Sequence, residues 1–125
     1  MLKRTGVILG VLLLAMAALV GCSSNSSSTT SSKVDTRKGT VIDVRTPGEF
    51  ASGHLEGATN IDIESGAFET EVRKLDPSKQ YFVYCRSGNR SKTATAIMTN
   101  LGFTGVTDLG GIDTAAASTG LAVVQ

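Results

Sequence analysis

One cysteine and two arginines fall within six consecutive residues, Cys85-Arg86-Ser87-Gly88-Asn89-Arg90. A thiol attacks as its thiolate, and neighbouring cations or the positive end of a helix favour that charge. The surrounding pattern supplies such an end. Tyr81-Phe82-Val83-Tyr84 is β-rich and follows the punctuation Asp76-Pro77-Ser78, while Ala94, Ile97, Met98 and Leu101 recur at helical spacing behind the loop. Cys85 is therefore expected at the carboxyl end of a strand, where an open α/β sheet forms its ligand crevice. The next helix would point unpaired N–H groups into that crevice. Gly88 suits a loop that wraps its amides around a small anion. Arg86 and Arg90 would repel one another unless an anion or a carboxylate stood nearby, so both are expected to bind substrate. Ser87 and Asn89 are expected to act through their backbone N–H groups, and Lys92 to face solvent.

The rest of the domain alternates strand and helix. Thr40–Val44 reads as a strand, Thr46–Ser52 as a short helix, Thr59–Ile61 as extended, and Ala67–Leu75 as a helix with Phe68, Val72 and Leu75 on its buried stripe. Thr46 and Glu49 form a Thr-x-x-Glu capping box with Pro47 at the first helical position. Val106–Leu109 reads as the last strand, and the Ala-rich helix after Gly110-Gly111 ends at Gly120. Such alternation predicts an α/β fold in three α/β/α layers, with a central, mostly parallel sheet of four to five strands.

Three ordered motifs are similar to those of single-domain rhodaneses: Val41-Ile42-Asp43-Val44-Arg45, Gly53-His54-Leu55-Glu56-Gly57-Ala58-Thr59-Asn60-Ile61 and the Cys85–Arg90 loop. Thr46-Pro47-Gly48-Glu49-Phe50, Leu101-Gly102-Phe103 and Leu109-Gly110-Gly111-Ile112 follow the same family order, so the resemblance runs from about Val41 to Val124. It implies a sulfurtransferase. Cys85 would take a sulfane sulfur from a small anionic donor such as thiosulfate, a persulfide or a polysulfide, become a persulfide, and pass the sulfur to a thiol or cyanide-like acceptor. The related phosphatases and arsenate reductases carry a wider Cys-x5-Arg loop. Here Arg90 closes Cys-x4-Arg and Ser91 fills the later position, which cannot supply the bidentate guanidinium that phosphoryl transfer uses. A non-catalytic sulfur carrier or anion-binding module is the alternative from another class. Two features depart from the family pattern. Only Lys33–Gly39 stands where a strand and a helix usually precede the Val41 strand, and Asp113 replaces a large aromatic after Ile112, which predicts looser packing under the loop.

Asp43 and Arg45 are expected to be structural neighbours of the site, pairing locally at a strand end. The single histidine, His54, is expected to support the fold as it does in the resembled family. One histidine and one free thiol fall short of a zinc ligand set, so neither metal nor cofactor is expected.

Residues 1–21 read as a lipoprotein signal peptide: Lys3 and Arg4, then an uncharged run, then Leu19-Val20-Gly21-Cys22, which resembles a bacterial lipobox. The strictly apolar stretch from Val7 to Val20 is shorter than the roughly 20 residues a spanning helix needs. Cys22 is the expected lipidation site, followed through residue 32 by a Ser/Thr-rich flexible tether spanning roughly 17 Å. The domain would be residues 33–125, held on the extracytoplasmic side of a membrane, periplasmic in a Gram-negative cell. Without Lys3 and Arg4 the mature chain carries ten basic and eleven acidic residues, a balance that argues against nucleic acid as a partner. No protein partner is legible.

Overall fold

The computed structural model describes residues 32–125. The expected signal peptide, Cys22 and all but the last residue of the tether lie outside the described residues. Among the described residues no helix is long and apolar enough to cross a membrane.

The central sheet holds four parallel strands: β1 (Gly39–Asp43), β3 (Thr59–Asn60), β4 (Gln80–Cys85) and β5 (Gly105–Gly111), in the order β3-β1-β4-β5. The strand β4 is central, and Tyr81, Phe82, Val83, Tyr84 and Cys85 are all buried, as expected for a parallel strand covered on both faces. Their side chains alternate between two cores. Tyr81, Val83 and Cys85 join Ile42 and Val44 against α2 (Phe68–Val72) and α3 (Asn89–Asn100), through Phe68, Val72, Ala94 and Met98. Phe82 and Tyr84 join Val41 and Leu109 against α4 (Ile112–Thr119), through Ala115. The three-layer arrangement expected from the alternating pattern is present, with four strands in the sheet.

The first helix, α1 (Pro47–Ser52), starts as its sequence dictates. Thr46 Oγ1 accepts from the Glu49 amide at 3.3 Å, and the Glu49 carboxylate accepts from the Thr46 amide at 3.2 Å. Elsewhere the bounds shift. The expected Ala67–Leu75 helix contracts to Phe68–Val72, because Leu75 is held by a tight turn to the Val72 carbonyl, at 3.0 Å. Among the described residues before β1, the one regular element is the 3-10 turn Thr36–Lys38. Two strands have no counterpart in the sequence pattern: β2 (His54–Leu55) pairs antiparallel with β6 (Val123–Val124) in a small second sheet. Strands of two residues are too short for a period of two to be read.

Candidate active site

Cys85 is the last residue of β4 and is 1% exposed. The chain then turns through Arg86, Ser87 and Gly88 into α3, with Gly88 in the left-handed region at φ 101°, which an L side chain would resist. That turn aims the Gly88 amide at the thiol, 3.0 Å from Sγ. Ser91, in the first turn of α3 and fully buried, places its hydroxyl 3.5 Å from Sγ. The same oxygen lies 3.1 Å from the Gly88 carbonyl and 3.4 Å from that of Gly110. A hydroxyl has one proton, so Ser91 can accept from the neutral thiol while donating to a carbonyl, and can turn to donate when sulfur is charged. Burial pushes the Cys85 thiol up. Hydrogen bonds from the Ser91 side chain and from the Ser91, Gly88 and Ser87 amides outweigh it and leave the thiol below its ordinary value.

The floor of the loop comes from β5. A register shift between β4 and β5 leaves Leu109 as an extra residue and sets Gly111 beside Cys85. A Cβ built on Gly111 would stand 2.6 Å from the Arg86 carbonyl oxygen and 3.2 Å from Ser87 Cα, so only glycine lets the two backbones approach this closely.

The two arginines of the loop differ. Arg90 is clamped by Glu49, with contacts of 2.8 and 2.9 Å, and by Glu64 at 3.0 Å. The guanidinium holds the Glu49 carboxyl down at about 2, and the two carboxylates in turn raise Arg90. Arg86 is exposed and has no ion pair among the described residues. Ser87 and Asn89 are exposed beside it. The carboxylates that relieve repulsion between the two cations come from distant positions, so Arg86 is the loop cation left to meet an incoming anion.

Asp43 ends the adjacent β1. Its carboxylate receives the Arg45 guanidinium, with contacts of 2.7 to 3.0 Å, and the Arg45 amide at 2.9 Å. Arg45 also donates to the Gly53 carbonyl and lies over the Tyr84 ring, 5.8 Å from its centroid. Burial works against the Arg45 charge, but the Asp43 hydrogen bonds outweigh it and raise its pKa. Asn60 closes the cluster by donating to the carbonyls of Asp43 at 3.0 Å and Arg45 at 2.8 Å. His54 stacks on Phe50 with ring centroids 3.8 Å apart, and its Nδ1 lies 2.9 Å from the Phe50 carbonyl. Among the described residues, no group of three or more His, Cys, Asp or Glu side chains is placed to hold a metal.

Three residues at the site escaped sequence reasoning in their roles. Ser91 entered only as the residue that is not arginine, Glu49 only as a helix cap, and Glu64 not at all. The spacing Cys85 to Ser91 across a strand-to-helix turn was an available signal for the first. Nothing local pairs Glu64 with Arg90.

The family model for the rhodanese-like domain matches residues 26–116. The chain belongs to this family. Among curated rhodanese relatives, "Thiosulfate sulfurtransferase GlpE" of Pseudomonas entomophila is 37% identical over 71 residues, covering 57% of this chain and 63% of that protein. "Thiosulfate sulfurtransferase 16, chloroplastic" of Arabidopsis thaliana is 39% identical over 90 residues, covering 64% of this chain and 75% of the relative. Among solved structures, a "rhodanese with anions" from E. coli superposes with a TM-score of 0.57 at 31% identity, covering 69% of this chain and 96% of the other.

Proposed function

We propose that this rhodanese is a sulfurtransferase in which Cys85 carries the sulfur. The observation that carries the reading is the buried Sγ, held by the Gly88 amide and the Ser91 hydroxyl with its pKa lowered, at the carboxyl end of a central parallel strand. In the first step the Cys85 thiolate attacks the terminal sulfane sulfur of thiosulfate. The donor S–S bond breaks, sulfite leaves with the bonding pair, and Cys85 becomes a persulfide anion. The loop amides, the N-terminal end of α3 and Ser91 then face that charge. In the second step a thiol or cyanide attacks the outer sulfur, and the Cys85 thiolate is released unchanged. The names of the relatives above support thiosulfate as donor.

The domain acts at a membrane surface in this proposal. Cys22 carries the lipid, residues 1–21 are removed, and the Ser/Thr-rich stretch tethers the domain on the extracytoplasmic side. The support is the order of charged start, apolar run and Leu19-Val20-Gly21-Cys22.

Intact mass of the full-length chain, extracted from the membranes of a bacterial host, tests both parts. Thiosulfate is expected to add one sulfur that cyanide removes as thiocyanate, and Cys85→Ser is expected to gain none. A wild type that gains nothing, or a Cys85→Ser variant that still transfers sulfur, overturns the assignment. The same spectra are expected to show a chain beginning at acylated Cys22; an unmodified chain beginning at Met1 overturns the anchor.

A further inference from the structure

The clamp on Arg90 bears on which sulfur donor the site prefers. Glu49 and Glu64 together carry two negative charges against the one positive charge of Arg90, so the triad is formally −1. It stands on the first turn of α3, the helix whose N-cap Gly88 holds the thiol at 3.0 Å. Arg86, exposed and without an ion pair among the described residues, roughly balances it. An incoming anion therefore meets backbone amides and a side-chain field close to neutral. A dianion such as thiosulfate feels the triad's charge twice as strongly as a monoanion such as an alkyl persulfide.

The two carboxylates are not equivalent. Glu49 is committed to α1, where it also accepts from the Thr46 amide and from Thr46 Oγ1 at 3.1 Å. Glu64 is on the turn between β3 and α2, its side chain is 57% exposed, and among the described residues its carboxylate makes a single hydrogen bond, the one with Arg90. Removing the Glu64 charge would leave Arg90 paired with Glu49 and the cluster neutral, with no other bond broken.

We propose that Glu64 is a specificity-determining residue that turns the site toward singly charged sulfane donors, the alkyl persulfides RSS⁻, and away from dianionic thiosulfate. The proposal rests on the sulfurtransferase reading above. In the favoured step the Cys85 thiolate attacks the terminal sulfur of RSS⁻, the S–S bond of the donor breaks, RS⁻ leaves with the bonding pair, and the persulfide anion forms on Cys85. No outside oxidant or reductant is required.

The test compares kcat/KM for thiosulfate and for 2-hydroxyethyl persulfide, whose ionised form carries a single charge, in the detergent-solubilised full-length chain, with cyanide as acceptor. Glu64→Gln is expected to move the thiosulfate-to-persulfide ratio toward thiosulfate by about two- to fivefold, the size of one unit charge acting across a solvated site. Added salt is expected to shrink that difference. Arg86→Gln is expected to move the ratio the other way. An unchanged ratio in Glu64→Gln, or a shift toward persulfide, overturns the role of Glu64. Failure of every donor to place a sulfur on Cys85 by mass overturns the sulfurtransferase reading, and the selectivity proposal with it.

Discussion

The carboxyl ends of β1 and β4 lie side by side, with Asp43 in register with Tyr84, yet the two ends treat their polar groups in opposite ways. At the end of β1, Asp43 and Arg45 are both buried, and their partners all come from inside the chain: each other, the Gly53 carbonyl, and the backbone held by Asn60. At the end of β4, the amide of Gly88 and the hydroxyl of Ser91 converge on a single sulfur, while Arg86 projects with nothing paired to it among the described residues. A polar network closed on itself specifies a fold. One built around a nucleophile, with an exposed cation left without an ion pair among the described residues at its edge, is ready for a ligand.

Breaking the closed end is expected to give the largest effect. Asp43→Ala leaves the Arg45 guanidinium buried without its carboxylate, and loss of one partner from a buried pair costs about 3–5 kcal/mol. Urea unfolding is expected to show that loss, a large share of what a domain of this size has, with sulfur transfer per folded molecule retained. A loss under about 1 kcal/mol would mean that the β1 end is not the closed network described, since exposed pairs contribute no more than that.

The next effect falls on the open end. Gly111→Ala places a methyl against the Arg86 carbonyl and Ser87 Cα, both backbone, so the loop itself has to move. A displacement near 1 Å at a reacting centre costs on the order of a hundredfold in rate, whereas overpacking costs about 1–3 kcal/mol in stability. Transfer rates measured beside unfolding midpoints are expected to show the rate falling further. Equal transfer in variant and wild type would show that β5 does not set the position of the cradle.

Ser91→Ala sharpens the comparison with the smallest change. The hydroxyl is one of the groups that lower the Cys85 pKa, so its loss is expected to raise the pH midpoint of thiol alkylation. A hydrogen bond to a charged group contributes about 1.5–3 kcal/mol, enough to move the midpoint measurably. The sign follows from the thiolate being the reactive form: with one donor fewer it persists only at higher pH. An unmoved midpoint would leave the backbone amides as the whole of the cradle.

Much of this design is legible within a few residues of chain. The capping box at Thr46 and Glu49, the strand ending at Cys85 and the helix behind it all depend on contacts between neighbours in sequence, which propensity and periodicity describe directly. The alternation of strand and helix likewise announced a sheet covered on both faces, and Tyr81–Cys85 are all buried in it. Tertiary structure alone decided how the charges are distributed. Arg90 finds Glu49 and Glu64 from positions 41 and 26 residues away, and Gly111 reaches Cys85 only through an extra residue in β5. Such pairings are set by distances that exist only once the sheet has assembled. The same six-residue loop, read alone, offers two cations to an anion; folded, it offers one.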